Sequence, residues 1–211
     1  MQWAKNYLLE YQAANVPPLV LVGNWIPPLC PLYKLNVNGA RFSSQKEAGV
    51  GVIIWDNKGL VIAALSKNID APLGPFEIEA KAFEVGLQFA KDVGIYVLIL
   101  EGDCLVMYRA LAGISPCLAS IAAIVYGIEA ASQNFRNVSF SHVCRQGNIS
   151  AQFLAKHAIS IVDFSVWKEE IGNCFFILFF IFKNNFLFLK LKNLFGNPKY
   201  TENKKDRKSV V

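Results

Sequence analysis

Apolar and polar positions along residues 32–159 change period in a regular succession. Residues 32–38 alternate, as in a half-buried strand. The run from Gly49 to Trp55 (GVGVIIW) is a second strand, closed by the turn-forming sequence Asp56, Asn57, Lys58, Gly59, and residues 60–66 follow as a third. Three strands joined this way predict an antiparallel meander. Residues 77–92 place Ile78, Phe83, Leu87 and Ala90 at helical spacing and stop before Gly94, a residue suited to end a helix. Residues 96–101 read as a buried strand, 105–112 and 118–133 as helices, 138–143 as a strand and 148–159 as a closing helix. The order is β-β-β-α-β-α-α-β-α. It predicts an α/β domain with a five-stranded mixed sheet, antiparallel at one edge and parallel beyond, with flanking helices.

Both flanks differ from this body. Residues 1–30 predict a short helix over 3–14 and an extended lead-in containing Val16, Pro17, Pro18 and then Trp25, Pro27, Pro28. The domain is expected over residues 31–168 and a tail over 169–211. Eight of the sixteen phenylalanines fall within residues 175–195, and the end is basic. The run CFFILFFIF is far shorter than the roughly 20 apolar residues of a membrane span, and Lys183 follows at once. An interfacial anchor is the membrane reading that remains. The domain has its strands without the tail, so the tail is expected to be dispensable for folding. The N-terminus lacks the basic, apolar and small-residue regions of a secretory signal, which predicts an intracellular protein of the nucleus or cytoplasm.

Composition narrows the function classes. A hydrophobic fraction of 54% with 18% charged residues excludes a disordered chain. The five cysteines form no C-x-x-C pair, which predicts neither a disulfide framework nor a zinc site. The net charge of +5 is uneven, because residues 171–211 hold eight Lys and Arg against two acids, leaving −1 for the first 170 residues. A body without cationic excess predicts weak or locally patterned contact with phosphates.

Several short motifs follow one another along the chain: WIPP at 25–28, KLNVNGA at 34–40, GVGVIIWDNKG at 49–59, Glu79 and Ala80 on the long helix, EGD at 101–103, and HVCRQGNISAQFLAKHA at 142–158. Together they resemble the ribonuclease H-like domain of plant, retroelement-derived reverse-transcriptase-like proteins, over about residues 25–170. The resemblance implies a ribonuclease H-like fold and an enzyme that cleaves RNA in RNA–DNA hybrids with Mg²⁺; a monomer is expected. Four carboxylates hold two ions in such enzymes, one readying water and the other steadying the leaving oxygen. The first position is Asn38 here, the second and third are Glu79 and Asp103, and the fourth is Gln152. The resemblance therefore implies catalytic positions at Asn38, Glu79, Asp103 and Gln152, metal contacts at Glu79 and Asp103 alone, and phosphate contacts at Arg145 and Asn148. Cleavage is expected to be weak or lost. A non-catalytic nucleic-acid-binding or protein-interaction module on the same scaffold is the alternative.

Each residue also has a plainer reading. Asn38 before Gly39 is a hairpin signal, and Asn–Gly pairs are prone to deamidation. Glu79 suits the first turns of a helix, and Glu77 competes with it. Asp103 and Asn148 both suit helix N-caps. His142 and His157 have no ligand set in the sequence around them.

Overall fold

The computed structural model describes residues 25–168. The helix expected over residues 3–14, the first prolines of the lead-in and the tail from residue 169 lie outside the described residues.

Strand β1 (Tyr33–Phe42) turns through residues 43–46 into β2 (Glu47–Trp55), and β2 into β3 (Val61–Ile69). The second turn is fixed by Asp56, whose Oδ1 accepts the N–H groups of Lys58 and Leu60, each at 2.8 Å. Helix α1 (Pro75–Val93) begins with proline at its first position and ends at Gly94, whose φ of 88° only glycine adopts without strain. Then come β4 (Val97–Gly102), α2 (Leu105–Leu111), α3 (Ala122–Ser132), β5 (Asn137–His142), α4 (Ile149–His157) and β6 (Phe164–Lys168). The segment expected as one helix over residues 118–133 opens instead as a 3-10 turn, Ala119–Ile121, ahead of α3.

The sheet runs β5-β4-β1-β2-β3-β6, with β1, β4 and β5 parallel and the other pairs antiparallel. Six strands stand where five were expected. The sixth, β6, has only five residues and exposes Phe164 and Val166 while turning Ser165 and Trp167 inward. Its pattern is thus partly inverted, and its place is set by pairing with the distant β3.

Each face of the sheet is packed. On one, Leu35, Val37, Val52, Leu98 and Leu100 meet Phe83 and Leu87 of α1. Burying side chains of this kind stabilises by about 1.5–3 kcal/mol each. On the other face Ile53, Trp55 and Ala64 meet Ala151 and Leu154 of α4, with Trp25 in the same cluster. Helix α4 lies almost on the backbone of β2. A Cβ on Gly51 would fall 2.1 Å from the carbonyl oxygen of Ala151, and one on Gly49 would fall 2.2 Å from that of Ala155. Two glycines on one face of β2 are what allow this approach.

The two central strands do not run together to their ends. Pairing of β4 with β1 stops at Val37 and Gly102, while β1 continues to Phe42 beside β2 alone. That vacated edge is where the polar residues gather.

Candidate active site at the vacated edge of β1

Alternate residues of a strand direct their backbone groups to the same neighbour. Val37 and Gly39 thus offer polar groups to the edge that β4 has left, and side chains replace the missing strand. Asn148 Nδ2 donates to the Val37 carbonyl at 2.9 Å. Glu79 Oε2 accepts the Gly39 N–H at 3.4 Å. Asn38 Nδ2 donates to the Gly39 carbonyl at 2.8 Å. Asn38 lies inside β1 opposite Gly51, so the Asn–Gly pair is no hairpin turn here; the chain reverses at residues 43–46.

Glu79 reaches β1 because α1 presses on it. A Cβ on Gly39 would stand 2.8 Å from the backbone carbonyl of Ile78, the residue before Glu79. Glu77 takes no part, since its Oε2 turns back to accept the Gly74 N–H at 2.7 Å and close the start of the helix.

Asp103 follows the last residue of β4. Its Oδ1 accepts from Asn148 Nδ2 at 3.0 Å and its Oδ2 from Gln152 Nε2 at 3.2 Å. Gln152 Nε2 also donates to the Arg145 carbonyl at 2.9 Å. Neither Asp103 nor Asn148 acts as a helix cap through its side chain: Cys104 holds the N-cap position of α2, and Asn148 holds that of α4 without a capping bond. Of the two residues expected at a phosphate backbone, Arg145 is exposed, while Asn148 is only 1% exposed with its amide nitrogen already engaged. The Oδ1 of Asn148 is buried with no partner among the described residues.

Burial raises the Glu79 carboxyl to about 8, and the nearby Asp103 charge adds to the rise; the Gly39 N–H and Arg145 oppose it. Glu79 is therefore mostly protonated at neutral pH, as a carboxyl beside a second carboxyl in a buried place tends to be.

Asn38, Glu79, Asp103, Asn148 and Gln152 are thus brought to one edge, but the donor set does not fit a pair of Mg²⁺ ions. Among the described residues no three His, Cys, Asp or Glu side chains gather where they could hold a metal. Gln152 presents its nitrogen, not its oxygen, to Asp103, and both oxygens of Asp103 already accept from amides. Hard cations require several free oxygens.

A second polar group lies deeper on the α4 side. Trp25 Nε1 donates to Asn36 Oδ1 at 2.8 Å, and Asn36 Nδ2 donates to Glu101 Oε2 at 2.9 Å. Lys34 Nζ stands 3.3 Å from Glu101 Oε1 and donates to the Ile26 carbonyl at 2.8 Å. Reading of the sequence passed over this set. Its signal was the alternation of polar residues at 34, 36 and 38 on a strand bound for the interior.

The family model described as Reverse transcriptase-like matches residues 36–158, more than half of the chain. The chain belongs to this family. No curated protein matches it. The match to the Reverse transcriptase-like family spans all six expected site residues and the elements that carry them. Among solved structures, the chain is similar to RNase H1 of the halophilic archaeon Halobacterium salinarum NRC-1 at 22% identity and a TM-score of 0.57, covering 61% of this chain and 97% of that one. It is also similar to the N-terminal RNase H domain of a Mycobacterium tuberculosis protein, at 20% identity, a TM-score of 0.55, and 61% and 93% coverage. LC11-RNase H1, solved in complex with RNA/DNA hybrid, gives 20%, 0.56, 61% and 96%. At these identities the likeness establishes the ribonuclease H-like fold of this Reverse transcriptase-like domain.

Proposed function

We propose that this chain is a ribonuclease H-type domain that binds RNA–DNA hybrids and cleaves their RNA strand weakly or not at all. The observation that carries this reading is the amide clamp on Asp103, whose two oxygens accept from Asn148 and Gln152 where metal ions would need them. Family membership supports hybrid recognition, as does the hybrid bound to LC11-RNase H1. Arg145 is exposed and its charge acts on Glu79, which supports a phosphate contact there. Any divalent ion would rest on Glu79 and Asp103 alone, so its hold would be weak. The test is a labelled RNA–DNA hybrid, followed for binding and for cleavage with Mg²⁺ and then Mn²⁺. Binding with little or no cleavage is the expected result. Turnover equal to an enzyme with four carboxylates would sink the claim of lost activity, and absence of binding would sink the whole reading.

A second reading, a protein-interaction module, is favoured by the surface between α2 and α3. Residues 110–135 contain no Lys or Arg, and Ile114 and Tyr126 are 61% and 67% exposed there. A phosphate-binding face would carry cations. Hybrid affinity that does not fall with added salt would favour this second reading.

A further inference from the structure

Trp25 precedes the span of the family match, yet it reaches three of the chain segments that deliver polar groups to the vacated edge, directly or through one intervening residue. Through Nε1 it holds Asn36, which lies two residues before Asn38 on β1. Asn36 in turn holds Glu101, two residues before Asp103. Lys34 closes the ring, binding Glu101 on one side and the carbonyl of Ile26, next to Trp25, on the other. Its Nζ also lies 5.3 Å from the centre of the Trp25 ring. The third segment is the turn that carries Arg145 and Asn148. A Cβ on Gly147 would fall 2.6 Å from Val143 Cγ2 and 3.3 Å from Trp25 Cβ, so the turn rests directly against the tryptophan.

Trp25, Lys34, Asn36 and Glu101 are all buried. A polar network away from water is rigid, because each bond left unmade costs the desolvation of its partner. We infer that Trp25 is a positioning residue: it fixes the spacing of β1, β4 and the 145–148 turn, and so the arrangement of Asn38, Asp103 and Asn148. It works through Asn36, Glu101 and Gly147. The inference rests on the proposed function only where hybrid affinity is the readout.

The test uses the full chain and reads two NMR signals, the side-chain amide of Asn148 and the backbone N–H of Gly39. Trp25→Phe removes the indole N–H while keeping an aromatic ring. Gly147→Ala crowds Val143 and, less tightly, Trp25, shifting the turn against the tryptophan while changing no member of the hydrogen-bonded ring. Ile128→Val, a core change in α3, is the control for lost stability alone. Both site signals are expected to move in the first two variants and to stay in place in the third. Hybrid affinity should fall roughly 2–30-fold in the first two, the range of coupling through packed networks, and hold in Ile128→Val. Trp25→Phe signals that coincide with wild type, or Ile128→Val signals that move as far, would overturn the inference. Where Trp25→Phe does not fold, Gly147→Ala decides by the same criteria. The NMR readout needs no nucleic acid, so a wild-type chain that binds no hybrid sinks the proposed function while this inference is still judged on the signals.

Discussion

Gln152 gives one nitrogen to two acceptors, Asp103 Oδ2 at 3.2 Å and the Arg145 carbonyl at 2.9 Å. A glutamate at this position would set carboxylate oxygens against both. Gln152→Glu is expected to destabilise the chain by about 1–3 kcal/mol at neutral pH, and added Mg²⁺ should recover part of the loss. Thermal denaturation with and without the ion checks this; an unchanged melting temperature would show that the bond carries no weight.

Asn38 stands beside Glu79 and Asp103 without adding charge. Asn38→Asp supplies a third carboxylate, and hybrid cleavage with Mg²⁺ should rise at least about tenfold, equivalent to roughly 1.4 kcal/mol of barrier. A folded Asn38→Asp protein as inactive as wild type would mean that Asn38 is not the limiting defect.

The Glu79 carboxyl titrates near 8 in the folded chain against 4.5 as its ordinary value. Between those values the folded state keeps a proton that the unfolded state has released. The stability this contributes is complete below the lower value and disappears as pH rises through the upper one. Glu79→Gln stays neutral throughout. Melting temperatures of the two proteins should agree near pH 4 and diverge in favour of the variant by pH 9, the shift corresponding to a stability difference on the order of a few kcal/mol. Parallel curves across that range would contradict the buried, proton-holding carboxyl.

Gly51 has no room for a side chain, since a Cβ would overlap the Ala151 carbonyl of α4. Backbone cannot swing aside as a side chain does. Gly51→Ala should cost about 3 kcal/mol or more, at the upper end of overpacking effects, measurable as a lowered denaturant midpoint.

A chain ending at Glu170 should keep the melting temperature of the full chain, because the described residues already bury both core clusters among themselves. A truncated chain that fails to fold would show that the tail belongs to the structure.

The meander, the long helix and the parallel strands were legible because each has a clear period and a marked end, such as the Asp56 turn or Gly94. Strand β6 was not, because its inward residues are Ser165 and Trp167 and only β3 gives them meaning. Among site residues, Glu79 and Asp103 could be placed by motif, and contacts then separate Glu79 from the capping Glu77. The sequence could not say that Asn148 is interior, for an asparagine after glycine looks the same as a cap or as a surface contact. Nor could it reveal Trp25 as part of the core, since its partners lie 11 residues away at Asn36 and, through the tilted ring contact with Trp55, still further along the chain.

Gly49 and Gly51 set the separation of α4 from the sheet by main-chain contact, with no side chain between them to vary. The helix therefore behaves as a fixed rail. Its outward residues, such as Lys156, are free to drift, while the first turn with Asn148 and Gln152 stays at one height above Asp103. An architecture so anchored is indifferent to charge: a carboxylate and an amide of equal size can stand at the vacated edge without moving the frame that holds them.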